Sequence, residues 1–174
     1  MQIRLTGLTA TAFGAGALVA GPAAAQTLDL TVIIPKLSVA EYHRPYVAAW
    51  LEKEGSAPRT IQVWYDVEKR GGEGTKWLRD IRQWWRTAGR SMTFPADGVS
   101  GATRAPGPQK VRLVGGRGGM PVLTPGNYTL VVEAAREVGG RELVRLPFAW
   151  NGSSATASAK GSTELGAVSL TLKR

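Results

Sequence analysis

The chain has no cysteine and a single histidine, His43, among 174 residues. Without cysteine there is no thiolate nucleophile, no iron–sulfur cluster, no thioether-attached haem and no His₂Cys copper site. One histidine cannot furnish the usual ligands of a zinc cage. Ser153-Ser154 lacks a G-x-S-x-G setting, which argues against a hydrolase nucleophile. Acidic residues are scarce, 13 against 22 Lys and Arg. Asp66, Glu68 and Glu133 are scattered along the chain, with nothing in their spacing like a catalytic carboxylate pair. Any redox role therefore needs an organic cofactor.

Long apolar runs are equally scarce. Arg4 precedes an Ala/Gly-rich run from Leu5 to Gly21, followed by Pro22-Ala23-Ala24-Ala25-Gln26. This is the layout of a secretory signal peptide with an A-x-A cleavage site after Ala25. The run is broken by several glycines and falls short of the roughly twenty strongly apolar residues that a spanning helix needs. The expected mature protein is residues 26–174, a single exported domain with no integral membrane segment after cleavage. Its length suffices for a core without disulfide staples.

The formal net charge is +9. Outside the cytoplasm, that balance points away from nucleic acid and toward a membrane surface, cell-wall polymers, an acidic redox protein or the phosphate of a bound nucleotide. A basic solvated surface is the plainer reading.

What the chain does contain is alternation. Leu28 to Leu37, Tyr46 to Leu51, Thr60 to Val67, Lys110 to Val114, Tyr128 to Glu133, Leu143 to Trp150 and Leu165 to Leu172 read as strands. Turn residues at Gly55–Pro58, Gly115–Gly119 and Gly139-Gly140 separate several of them. From Lys76 to Arg86, apolar Trp77, Leu78, Ile81, Trp84 and Trp85 follow a helical spacing, with Thr75 able to cap the start and Gly89 the end. The Ala/Ser-rich stretch from Asn151 to Ser162 reads as a long exposed loop. The expected fold is mainly β, an immunoglobulin-like β-sandwich with one amphipathic helix inserted between the third and fourth strands.

The same insertion carries Asp97-Gly-Val-Ser100-Gly101-Ala102-Thr103. It reads D-x-x-[ST]-G-A-[ST] and resembles the acceptor motif of the flavinylated FMN-binding domains of bacterial electron-transfer complexes. In those domains an FAD:protein FMN transferase moves FMN onto the last Thr or Ser. The resemblance implies covalent FMN on Thr103. Each residue type suits an acceptor loop. Gly101 and Ala102 lack bulk and let the backbone enter a narrow cleft, Asp97-Gly98 makes a turn, and Ser100 offers a hydroxyl. Arg104 is the nearest cation in sequence to the ester phosphate. Trp84 and Trp85 are aromatic candidates for stacking on the ring, although their spacing equally fits a core stripe.

Arg44-Pro-Tyr-Val-Ala-Ala-Trp50, Lys76-Trp-Leu-Arg-Asp80 with Trp84-Trp85, Ser100-Gly-Ala-Thr-Arg-Ala-Pro-Gly107 and Gly126-Asn-Tyr-Thr-Leu-Val-Val-Glu-Ala134 resemble the predicted periplasmic family called domain of unknown function 2271. Together the two resemblances imply a periplasmic electron carrier, loaded by the transferase and served by a membrane-side redox partner. It would be a carrier more than a turnover enzyme. The alternative is a non-catalytic immunoglobulin-like module for binding or assembly in the cell envelope.

Overall fold

A computed structural model describes residues 25–174; the expected signal peptide, apart from Ala25, lies outside them. The described residues form two sheets. The first contains β1 (Thr27–Ile34), β5 (Gly107–Val114), β8 (Ser154–Lys160) and β9 (Ala167–Lys173), in the order β5-β1-β9-β8. The second contains β2 (Tyr46–Glu52), β3 (Arg59–Tyr65), β4 (Ser100–Ala102), β6 (Gly126–Ala135) and β7 (Arg141–Trp150), in the order β4-β3-β2-β6-β7.

The two sheets bury their apolar faces in one cluster. β1 alternates strictly, sending Leu28, Leu30, Val32 and Ile34 inward, as a strand with one solvated face should. Leu170 and Leu172 of β9 join them, as do Val47 and Leu51 of β2 and Leu130 and Val132 of β6. β2 does not alternate: six of its seven residues are buried. It lies between β3 and β6, and its other face, Tyr46, Ala48 and Trp50, packs into a second cluster with Leu78, Ile81 and Trp84. The segment between β3 and β4 thus forms a third layer over the five-stranded sheet.

That layer departs from the single α-helix expected over Lys76–Arg86. Residues Arg70–Asp80 are a 3₁₀ segment, the chain breaks direction at Ile81 (φ −77°, ψ 74°), and α1 spans only Arg82–Thr87. Two physical reasons account for this. Leu78, Ile81 and Trp84, the side chains buried completely, recur every three residues, the 3₁₀ period. In addition, the backbone N–H groups of Gln83 and Trp84 donate to the buried Glu133 carboxylate at 3.1 and 2.8 Å, so a distant strand caps a new helix start. Thr75 does not cap; its hydroxyl donates to the Gly72 carbonyl at 2.7 Å.

Two more expectations are corrected. The Ala/Ser-rich stretch holds β8, paired along its length with β9. The motif is not all loop, because Ser100–Ala102 is itself an edge strand, parallel to β3.

Candidate functional site

β4 sets Thr103 in place through the backbone. The Val63 N–H donates to the Val99 carbonyl at 2.9 Å, and the Thr103 N–H donates to the Tyr65 carbonyl at 3.2 Å. The motif is therefore clamped to β3 at both ends. Val99 is buried in the second cluster, and the Gln62 side chain donates to its carbonyl at 2.8 Å.

Most motif residues have a definite local role. Ser100 Oγ accepts the Ala96 N–H at 2.9 Å, closing the preceding turn as short hydroxyl side chains do. Gly98 has φ +64°, and a Cβ there would run into the Gly118 backbone, so a larger residue would be strained twice over. Gly101 lies flat on β3: a Cβ would sit 3.3 Å from both Gln62 Nε2 and Trp64 Cδ1. Asp97 and Ala102 are exposed.

Beyond Ala102 the strand's two faces diverge. The Arg104 guanidinium lies 5.5 Å from the centroid of the Trp64 ring and takes no part in the surface onto which Thr103 opens. Thr103, half-buried, lines a cleft of 780 Å³, within the range of small-molecule sites. The segment before β2 contributes Tyr42, His43 and Arg44; the end of β3 gives Asp66; the 3₁₀ segment gives Trp77 and Asp80, and α1 gives Arg82. The β6–β7 turn supplies Arg136 to Gly140, and the start of β7 supplies Arg141.

Charge in this cleft is unevenly paired. Arg141 bonds the buried Glu133 at 2.8 Å. Arg136, only 6% exposed, makes a two-pronged pair with Glu164 at 2.9 and 3.0 Å, which raises the guanidinium above its usual range. Arg44 and Arg82 enter no ion pair among the described residues. His43 Nε2 lies 2.9 Å from Glu41 and Nδ1 3.6 Å from Glu137. The Thr103 hydroxyl donates to Asp66 Oδ1 at 3.5 Å, a long bond.

Two donors on the cleft wall are left over. Tyr42 Oη and Arg136 Nη1 are buried without a hydrogen-bond partner among the described residues, and burial pushes the Tyr42 phenol above its ordinary value. Buried donors are rarely left so.

The tryptophans sort differently from the sequence reading. Trp84 is fully buried, with its indole N–H donating to Thr60 Oγ1 at 2.9 Å. Trp85 packs at the edge of the same cluster, and neither lines the cleft. Trp77 does, and it is 43% exposed. The cleft arginines, Tyr42 and Trp77 come from four separate segments, so no local motif announced them. The one signal was that Trp77 falls outside the three-residue repeat of the buried side chains.

The family model described as "Predicted periplasmic protein (DUF2271)" matches residues 27–167. The chain belongs to that family. It is a periplasmic protein on this basis, and among the described residues no helix is long and apolar enough to cross a membrane. No curated protein and no solved structure matches the chain. The matched span of this DUF2271 protein includes the whole motif, the cleft and every strand except β9, of which it reaches only Ala167.

Proposed function

We propose that this DUF2271 protein is a periplasmic electron carrier holding FMN in phosphoester linkage to Thr103, attached by an FAD:protein FMN transferase. The observation that carries the reading is the position of Thr103: the last residue of the acceptor motif opens onto a cleft of 780 Å³ lined by four arginines together with Asp66, Asp80 and Glu137. Bound there, FMN would accept electrons from a membrane-side partner and pass them on.

The residues present fit the group. Arg44 and Arg82, the two cleft arginines without a carboxylate partner among the described residues, are suited to an anionic ester phosphate, since guanidinium binds phosphate oxygens through charge-assisted hydrogen bonds. Access fits as well. β4 is an edge strand, and Arg104, Ala105 and Pro106 after Thr103 are exposed, so a modifying enzyme can approach.

The acceptor's own share of the transfer is small. Thr103 Oγ1 forms a bond to the FMN phosphorus of FAD, the bond from that phosphorus to AMP breaks, and the hydroxyl proton leaves. Asp66 Oδ1, already accepting that proton, orients the hydroxyl. Two sheets that share an apolar core support an immunoglobulin-like sandwich as the scaffold.

In-gel flavin fluorescence after co-expression with the transferase tests the reading. Fluorescence that survives denaturation and disappears in Thr103→Ala supports attachment. A colourless wild-type band leaves the docking-module reading in its place.

A further inference from the structure

We infer that Trp77 is the side chain on which the ring of the tethered flavin stacks; this rests on the reading that Thr103 carries FMN. Ligand sites are concave and lined predominantly by apolar and aromatic side chains, and Trp77 sets a large, 43% exposed ring on the wall of this one. The other tryptophans nearest in sequence are accounted for. Trp84 spends its indole on the core and on Thr60, and Trp85 leans on Trp84, with ring centroids 6.1 Å apart. Trp64 is buried beneath Gly101 and Arg104. Trp77 alone among these four shares the cleft with Thr103.

Its surroundings leave the ring available. Lys69 Nζ lies 6.0 Å from the ring centroid, at the limit of a cation–π contact, and Lys69 is not part of the cleft wall. The one cation near the ring thus comes from outside the cleft that Trp77 lines. The ring is held without being packed: its neighbour Leu78 is fully buried and anchors the 3₁₀ segment, so Trp77 is presented on a fixed backbone. A planar, electron-poor heterocycle tethered at Thr103 would meet an electron-rich indole on that wall, an offset-stacked pair.

Contact with indole quenches flavin emission, so the arrangement is directly visible. The experiment compares emission of the FMN-loaded, full mature chain when native and after unfolding in urea, for wild type, Trp77→Ala and Trp77→Phe. At the usual strength of aromatic stacking, the ring rests on the indole about five times in six. Native wild type is then expected to be about sixfold dimmer than unfolded wild type. Native Trp77→Ala should approach the unfolded brightness, as should Trp77→Phe, which keeps an aromatic surface but removes the indole. Because Trp77 is 43% exposed, both variants should keep the wild-type circular dichroism spectrum. Wild type as bright native as unfolded, or both variants as dim as wild type, overturns the assignment of Trp77 while leaving attachment intact. Absence of flavin emission from unfolded wild type overturns the Thr103 reading and this inference with it.

Discussion

Replacing Glu142 with Gln removes one charge while keeping the shape of the side chain. Glu142 sits on β7 and reaches the turn between β8 and β9, where its carboxylate accepts the backbone N–H groups of Ser162, Thr163 and Leu165 at 2.6, 3.0 and 2.8 Å. The Ser162 hydroxyl adds a fourth bond at 3.1 Å. Partial burial pushes the carboxyl up, but these four donors outweigh it and bring it from 4.5 down to about 2. Taken whole, a shift of that size corresponds to about 3 kcal/mol of folding stability; Glu142 is partly solvated, so about 1–2 kcal/mol is the expected share after screening. The sign follows from the depressed value. The contribution is complete above the unfolded-state value near 4.5 and is lost as pH falls toward 2. Urea unfolding of wild type and Glu142→Gln at a series of pH values isolates it, since every other titrating group is common to both. The variant should be less stable by about 1–2 kcal/mol near pH 7, and the gap should narrow steadily below about pH 4.5. A gap that is constant from neutral pH to about pH 3, or no gap at neutral pH, refutes the reasoning. The consequence reaches the cleft, because the same turn carries Glu164, which grips Arg136 and the Gly140 N–H.

Glu133→Ala removes a fully buried carboxylate that caps α1 and pairs with Arg141; urea denaturation should show a loss of about 2–4 kcal/mol, since the orphaned N–H groups stay buried. Gly101→Val forces a branched side chain against Gln62 and Trp64. It should cost about 1–3 kcal/mol by thermal unfolding and slow modification of Thr103 in a timed transferase assay, because β4 must lift from β3.

Much of the scaffold was legible because its strands carry period-two patterns of large apolar residues, as in Leu28, Leu30, Val32 and Ile34. β8 was not, although it alternates: Ala155, Ala157 and Ala159 lean on the core, but alanine is too small to distinguish an inward face from a flexible loop. Its strand character comes from pairing with β9, a partner that lies after it in the chain. β4 was hidden for a similar reason, being three small residues whose structure is lent by β3. The break at Ile81 depends on Glu133, whose carboxylate lies 50 residues along the chain from Gln83, and local periodicity cannot register such a contact. The candidate site divides in the same manner. Its motif is contiguous and could be read directly. The cleft it opens onto is assembled from the approach to β2, the 3₁₀ segment, α1 and the β6–β7 turn, so Trp77, Arg44 and Arg82 became visible only in three dimensions, and Arg104, adjacent to Thr103 in sequence, proved to lie on Trp64.

The flavin hangs from a single oxygen atom, Oγ1 of Thr103. Intact-mass spectrometry of the mature protein, purified after periplasmic co-expression with an FAD:protein FMN transferase, reads that bond. Wild type should gain the mass of FMN less one water, localised by peptide mapping to the fragment containing Thr103, and the Thr103→Ala chain should stay unmodified. An unmodified wild-type chain alongside a control acceptor that the same enzyme does modify, or an FMN adduct that persists in Thr103→Ala, would contradict attachment at Thr103.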